Sequence, residues 1–256
     1  MALPRAAEVD PLGALARLDG VPQVVAATRL ALDRLGGHRV LRRRGDAVRT
    51  ESALRGAAAA ASIELGRLVE VDEVRVAAQD RSAAAPVVRG AARAYVELGA
   101  LVGVWRQAPR QALARLHTLA ARDVTGVDEL GRPAPGEATD RLAQLAAVLA
   151  ATRAPALVVA AVVHGELATL APFGSADQVV AMAASRLVLV ERGLDPGAYA
   201  VVELGHQDHR PAYEGALRGF ASGTEAGLTA WVLHYGEAVQ AGTREALAIA
   251  ESILRG

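Results

Sequence analysis

The stretch Ala154–Arg192, APALVVAAVVHGELATLAPFGSADQVVAMAASRLVLVER, decides how the rest of the chain is read. Apolar residues run at helical spacing on both sides of Ala171-Pro172-Phe173-Gly174. That spacing predicts two helices meeting at a tight loop, the first begun by Pro155, the second opened at Ser175 and closed by Gly193. A helix that follows a Gly-containing loop presents unpaired N–H groups and the positive end of its macrodipole, and so makes a natural anion seat. The same residues allow an opposite reading. Ser175-Ala176-Asp177-Gln178 fits a capping box, in which Ser175 accepts from a first-turn N–H and Gln178 reaches back. Those contacts would occupy donors that a phosphate needs, and Asp177 adds a like charge beside it.

The segments on either side also read as helices. Pro22 begins one whose Val25, Thr28, Leu32 and Leu35 share a stripe ending at Gly36-Gly37. The basic run Arg39–Arg44 is expected to be a solvated turn. Thr50–Val71 is expected as one helix, buried through the five alanines Ala57–Ala61. Helices are expected from Pro86 to Gly103, from Pro109 to Arg122, and from Asp140 to Ala151, the last with Leu142, Leu145 and Leu149 on one stripe. Asp123–Pro135, broken by Gly126, Gly131 and Pro133, reads as a loop. Beyond the central stretch, Gly205–Arg210 reads as a polar loop, Pro211 starts a helix, and Ser222–Glu225 fits a capping box before a long helix to Leu254. About nine helices and no strand place the chain in the all-α class. A single domain over residues 1–256 is expected, with N-terminal helices 20–71 packed on a core of 86–254.

Composition supports this and removes several function classes. Of the 256 residues 52% are apolar and only 3% aromatic, so the apolar excess is mostly Ala, Val and Leu, which suits close helix packing. The 28 basic residues balance the 28 acidic ones and no segment carries a basic stripe, which argues against nucleic acid or an anionic membrane as partner. Every basic residue is Arg, so no lysine nucleophile exists. Without cysteine there is no disulfide, thiolate catalysis or Cys-ligated zinc. The opening MALPRAAEVD lacks the pattern of a secretory leader, and no apolar run reaches membrane-spanning length, so a cytoplasmic location is expected.

Three stretches together resemble the Fic (Fido) family, whose all-α core transfers AMP or a related phosphate-containing group to protein hydroxyls. The family's loop reads His-Pro-Phe, two residues with an acid second, then Gly-Asn-Gly-Arg and another Arg three residues on. Here His164-Gly165-Glu166-Leu167-Ala168-Thr169-Leu170-Ala171-Pro172-Phe173 is similar to the phrase leading into that loop. Ala60-Ala61-Ser62-Ile63-Glu64 resembles the family's inhibitory helix, and the helices of Tyr213 and Trp231 resemble the closing ones. The likeness runs over roughly residues 20 to 250. What it implies for chemistry is a set of losses. Ala171 stands at the general-base histidine, and a methyl takes no proton. Ser175 stands at the acid that holds Mg²⁺, Asp177 at the Asn, and Val179 and Met182 at two arginines whose charge-assisted bonds to phosphate they cannot make. Glu64 then lacks the Arg that the family's inhibitory glutamate blocks. The family's β-hairpin flap would fall after Arg132, where only seven residues precede Asp140, three of them Pro or Gly, so a shortened or absent flap is expected.

Two functional expectations follow from the resemblance. One is a binding or regulatory module without AMP transfer, with no cofactor, whose partner is another protein, a second copy of the chain, or a small phosphate-containing ligand. The other is a divergent transferase that keeps a nucleotide or phosphate, with ATP and Mg²⁺, and recruits His164, Glu166 or Arg186. His164 lies two turns, roughly 10 Å, before Ala171 along its helix, and a lone His on an apolar helix is more often packed and hydrogen-bonded than reactive. His206, Asp208 and His209 offer three potential metal ligands, but without the helical spacing of a metal site, so no metal is expected. Trp231, His234 and Tyr235 read as core and rim. An unrelated helical bundle would lack the two-helix hairpin around Pro172.

Overall fold

The structure is a computed structural model that describes residues 10–79 and 84–255. The absence of a leader read from MALPRAAEVD rests mainly on residues 1–9, which lie outside the described residues. The described residues form a short 3-10 turn, Leu15–Arg17, and twelve α-helices, with no strand. In order these are α1 (Val21–Gly36), α2 (Leu41–Leu65), α3 (Val71–Gln79), α4 (Pro86–Val96), α5 (Leu98–Gln107) and α6 (Pro109–Ala121). They continue as α7 (Glu137–Ala151), α8 (Ala156–Leu170), α9 (Asp177–Glu191), α10 (Val202–Asp208), α11 (Arg210–Ala221) and α12 (Glu225–Arg255). None of these helices is long and apolar enough to cross a membrane.

α8 and α9 form the expected hairpin and lie at the centre. Both are buried on nearly every side, which is why neither shows a single apolar stripe. α9 is covered by α2, α4, α5 and α6, and α8 by α1, α7, α11 and α12. α2 reaches this core through Gly56 and Ala57–Ala61, all buried, whose small side chains let α4, α9 and α10 come close. α4 crosses α6 at Gly90, where a Cβ would stand 1.8 Å from the carbonyl oxygen of Ala120. One apolar core runs from Val21 to Ala246, and a second small cluster joins Val40, Val48, Val201, Ile249 and Ala250.

Several sequence expectations shift. The basic run Arg39–Arg44 leads straight into α2, which bends at Arg44 and begins well before Thr50. α2 stops at Leu65 because Gly66 adopts a left-handed conformation (φ +69°), so the stretch expected to reach Val71 is two helices, α2 and α3. The Pro86–Gly103 helix divides at Glu97 into α4 and α5. Thr224, rather than Ser222, caps α12 by accepting from Gly227 N–H at 3.2 Å. The largest correction is at Gly205–Arg210, where α10 runs through Asp208 with His206 fully buried. Gly205 lets α10 lie directly on the backbone of α12 at Ala238, and that packing outweighs the polar composition.

Candidate functional site

The loop between α8 and α9 is tight and left-handed at three points, Ala171 (φ +45°), Gly174 (φ +72°) and Ala176 (φ +53°). α9 therefore opens at Asp177, two residues after the expected Ser175, and the capping box does not form. Two carboxylates take the orphan donors instead. Gln178 N–H donates to Glu64 Oε2 at 2.8 Å, and the N–H groups of Ala176 and Val179 also face that carboxylate. Phe173 N–H donates to Asp177 Oδ1 at 3.0 Å, with Gly174 and Ser175 N–H directed to the same side chain. The anion seat is thus filled by the chain's own acids. Burial, reinforced by the Glu64 charge, lifts the Asp177 carboxyl to about 6, and burial also raises Glu64 against the pull of its three N–H donors.

Ser175 instead meets His117, a buried residue of α6 that the sequence reading missed. Its Oγ lies 3.1 Å from His117 Nε2, while His117 Nδ1 accepts from Gly131 N–H at 2.9 Å. A backbone N–H can only donate, so His117 carries its proton on Nε2 and donates to Ser175. The imidazole stacks on Phe173 with ring centroids 4.3 Å apart, and burial depresses its basicity. The signal was present in sequence, since Leu113, Leu116, His117 and Ala120 share one helical stripe. The Asp123–Pro135 segment is a series of turns with no strand, and Ala134 N–H donates to Pro172 O at 2.8 Å. It folds down onto the α8–α9 loop.

Behind the loop, Gln178 bridges to the interior. Its Nε2 donates to Ala168 O at 3.3 Å and its Oε1 accepts from Tyr213 Oη–H at 2.8 Å. With that proton committed, Tyr213 Oη accepts from His164 Nε2 at 3.0 Å, which leaves His164 Nδ1 as a buried lone pair without a partner among the described residues. His164 packs edge-on to His206, Trp231 and Tyr235, and His206 Nδ1 lies 3.1 Å from His234 Nε2. Burial, with His234 nearby, drives His164 to about 3; burial drives His206 well down and His234 to about 4. These imidazoles are neutral interior groups joined to the loop only through Tyr213 and Gln178.

Other candidates are held elsewhere. Glu166 forms a two-pronged pair with Arg141, both contacts at 2.8 Å, which ties α7 to α8. Arg186 lies more than two turns along α9 from the loop, where it meets Glu203 at 3.2 Å and donates to Ala198 O at 2.7 Å; Tyr95 Oη–H donates to the other Glu203 oxygen. Ser62 donates to Ala58 O and accepts from Val69 N–H, bracing the α2–α3 turn. Val179 and Met182 are buried in the core, and Ala171 exposes only its methyl. Asp208 and His209 are exposed while His206 is enclosed, so the three do not converge. Among the described residues no three His, Cys, Asp or Glu side chains form a metal-holding group. Phe173 lines a cavity of about 490 Å³ beside Pro109, Gly131 and Leu142. The structure therefore gathers Glu64, Phe173, Gly174, Ser175, Asp177 and Gln178 with His117 and Tyr213, and separates them from Glu166, Arg186 and Ser62.

No protein-family model and no curated protein sequence matches this chain. Among solved structures it is similar to a crystal structure of a Fic family protein from Desulfovibrio desulfuricans G20, determined at 2.70 Å resolution. The two share 20% sequence identity with a TM-score of 0.69, over 88% of this chain and 74% of the other. At that coverage and TM-score the likeness shows that this chain has a Fic-like, all-α fold.

Proposed function

We propose that this chain is a Fic-like protein that does not transfer nucleotides and serves as a binding or regulatory module. The observation that carries the reading is the Glu64 carboxylate seated on the N–H groups that open α9, with Asp177 holding the loop amides beside it. A phosphate entering there would meet two acids and donors already engaged, and each displaced bond would have to be replaced. The histidine base of the loop it resembles has no counterpart, and Asp177, lifted to about 6, has its carboxylate engaged by the Phe173 N–H. Ala171 carries no base, and His117, the nearest imidazole, has Nδ1 tied to Gly131 and Nε2 to Ser175. Nor do the substitutes that a divergent transferase would recruit support that alternative. His164 is enclosed, and Glu166 and Arg186 are committed to Arg141 and Glu203.

The test is incubation of the purified chain, and of the chain with bacterial extract, with radiolabelled ATP, GTP, CTP and UTP plus Mg²⁺ or Mn²⁺. The expected result is no covalent label on the chain or on any extract protein. Reproducible labelling that disappears in a Glu166→Ala or His164→Ala variant would replace this reading with the transferase.

A further inference from the structure

A second part of the molecule has the form of a ligand site. Between α2, α3, α4, α5 and α9, on the far side of Arg186 from the loop, lies a cavity of about 660 Å³. Packed protein interiors leave few voids larger than a water molecule, whereas small-molecule sites run from about 300 to 1,000 Å³. The space exists because small side chains, Ala53, Ala57 and Ala92, stand where larger ones would fill it, while Leu54, Val102 and Leu187 supply its walls. At its rim, a Cβ added to Gly99 would meet nothing within 4 Å.

The polar groups are few and unequal. Arg186, the one deeply buried cation of the lining, has its charge matched by Glu203 at 3.2 Å. Arg49 differs. It is half exposed at the rim, anchored through Nε to Gly197 O at 3.0 Å and lying over the Tyr199 ring, which fixes its direction. Its ion-pair contact is Asp46, a 95% exposed side chain, at 3.1 Å, and such surface pairs contribute little, while the buried Asp195 carboxylate feels the Arg49 charge from beyond ion-pair distance. Among the described residues Arg49 Nη2 makes no hydrogen bond. A pre-positioned guanidinium edge above an apolar hollow suits an apolar body that ends in a negative charge.

We propose that this cavity binds a monoanionic amphiphile, a medium-chain carboxylate or its close analogue, with the tail among Leu54, Val102 and Leu187 and the carboxylate on Arg49. The site gives the binding role proposed above a ligand class, and it stands apart from the α8–α9 loop. Nucleotide labelling tests the loop and ligand titration tests the cavity, so either can fail alone.

The experiment is calorimetric titration and thermal unfolding of the full chain with decanoate and decanol, both kept below micelle-forming concentration. Decanoate is expected to bind at one saturable site and raise the unfolding temperature, because a ligand of the native state stabilises it by mass action. Arg49→Ala should weaken decanoate about tenfold, near 1.4 kcal/mol, and leave decanol unchanged. Leu54→Trp should abolish binding of both by filling the hollow. Val102→Trp, on the α5 wall of the hollow and only partly buried, serves the same purpose should the Leu54 variant fail to fold. Absence of saturable binding by either compound, or undiminished binding in a folded filled variant, would overturn the site. Equal loss of decanoate and decanol in Arg49→Ala would overturn the headgroup assignment.

Discussion

Glu64 and Gln178 are 114 residues apart in sequence, yet the contact between them decides the character of the loop. Truncating Glu64 to Ala leaves the Ala176, Gln178 and Val179 N–H groups without their acceptor, a loss of about 1–3 kcal/mol for orphaned buried donors. Replacing it with Gln keeps an acceptor oxygen and removes a charge that burial already disfavours, since the carboxyl is raised despite those donors. Urea unfolding at pH 7 should therefore rank Glu64→Ala well below Glu64→Gln, with the glutamine variant close to the parent. Equal losses would show that the negative charge at the helix terminus, and not the acceptor, holds the loop. The resemblance in sequence pointed to Glu64 as an acid without its arginine. It could not show that backbone amides replace that arginine, because backbone donors carry no signature in side-chain sequence.

At the level of helices, the sequence was informative where burial produces a pattern and silent where contact between backbones decides. The α8–α9 hairpin was legible because apolar residues on all sides, interrupted by Pro172 and Gly174, leave few alternatives. α10 was not, because its buried polar residues find partners on other helices, as Glu203 does with Arg186 and Tyr95 and His206 with His234. Close approach at glycine is the other hidden feature, and two helical glycines separate it from plain propensity. Gly90→Ala would drive a Cβ against the Ala120 carbonyl, which is backbone and cannot swing away, so overpacking should cost about 1–3 kcal/mol or more. Gly103→Ala, inside α5 with nothing within 4 Å, should instead stabilise by about 0.5–1 kcal/mol through helix propensity. Thermal unfolding of the two variants should move in opposite directions; a Gly90→Ala protein as stable as the parent would mean that α4 and α6 do not cross this closely.

Over the whole molecule, the buried titratable groups set how stability responds to acid, and they pull in two directions. His117, His164, His206 and His234 are all depressed from 6.5, mainly by burial, with His164 at about 3 and His234 at about 4. Their neutral forms belong to the native state, so the unfolded chain binds the extra protons. That contribution is complete above about pH 6.5 and is lost as pH falls toward the folded values. Asp177, lifted to about 6, Glu64 and Asp195 act oppositely, because the native state holds their protons and gains stability as pH falls. Between pH 6.5 and 5 the imidazoles outnumber the carboxylates, and the unfolded chain is the better proton acceptor. Stability should therefore fall on acidification through this window, by about 1.4 kcal/mol per pH unit for each uncompensated proton. Removing one opposing group makes the test specific. Asp177→Asn keeps an acceptor for the Phe173 N–H but no longer takes up a proton near pH 6, so the fall with acid should steepen relative to the parent. Urea midpoints measured for both proteins at half-unit steps from pH 7 to 5 give the two slopes directly. A parent slope of zero or opposite sign would mean that the carboxylates dominate and that the imidazole cluster is not held neutral in the folded chain.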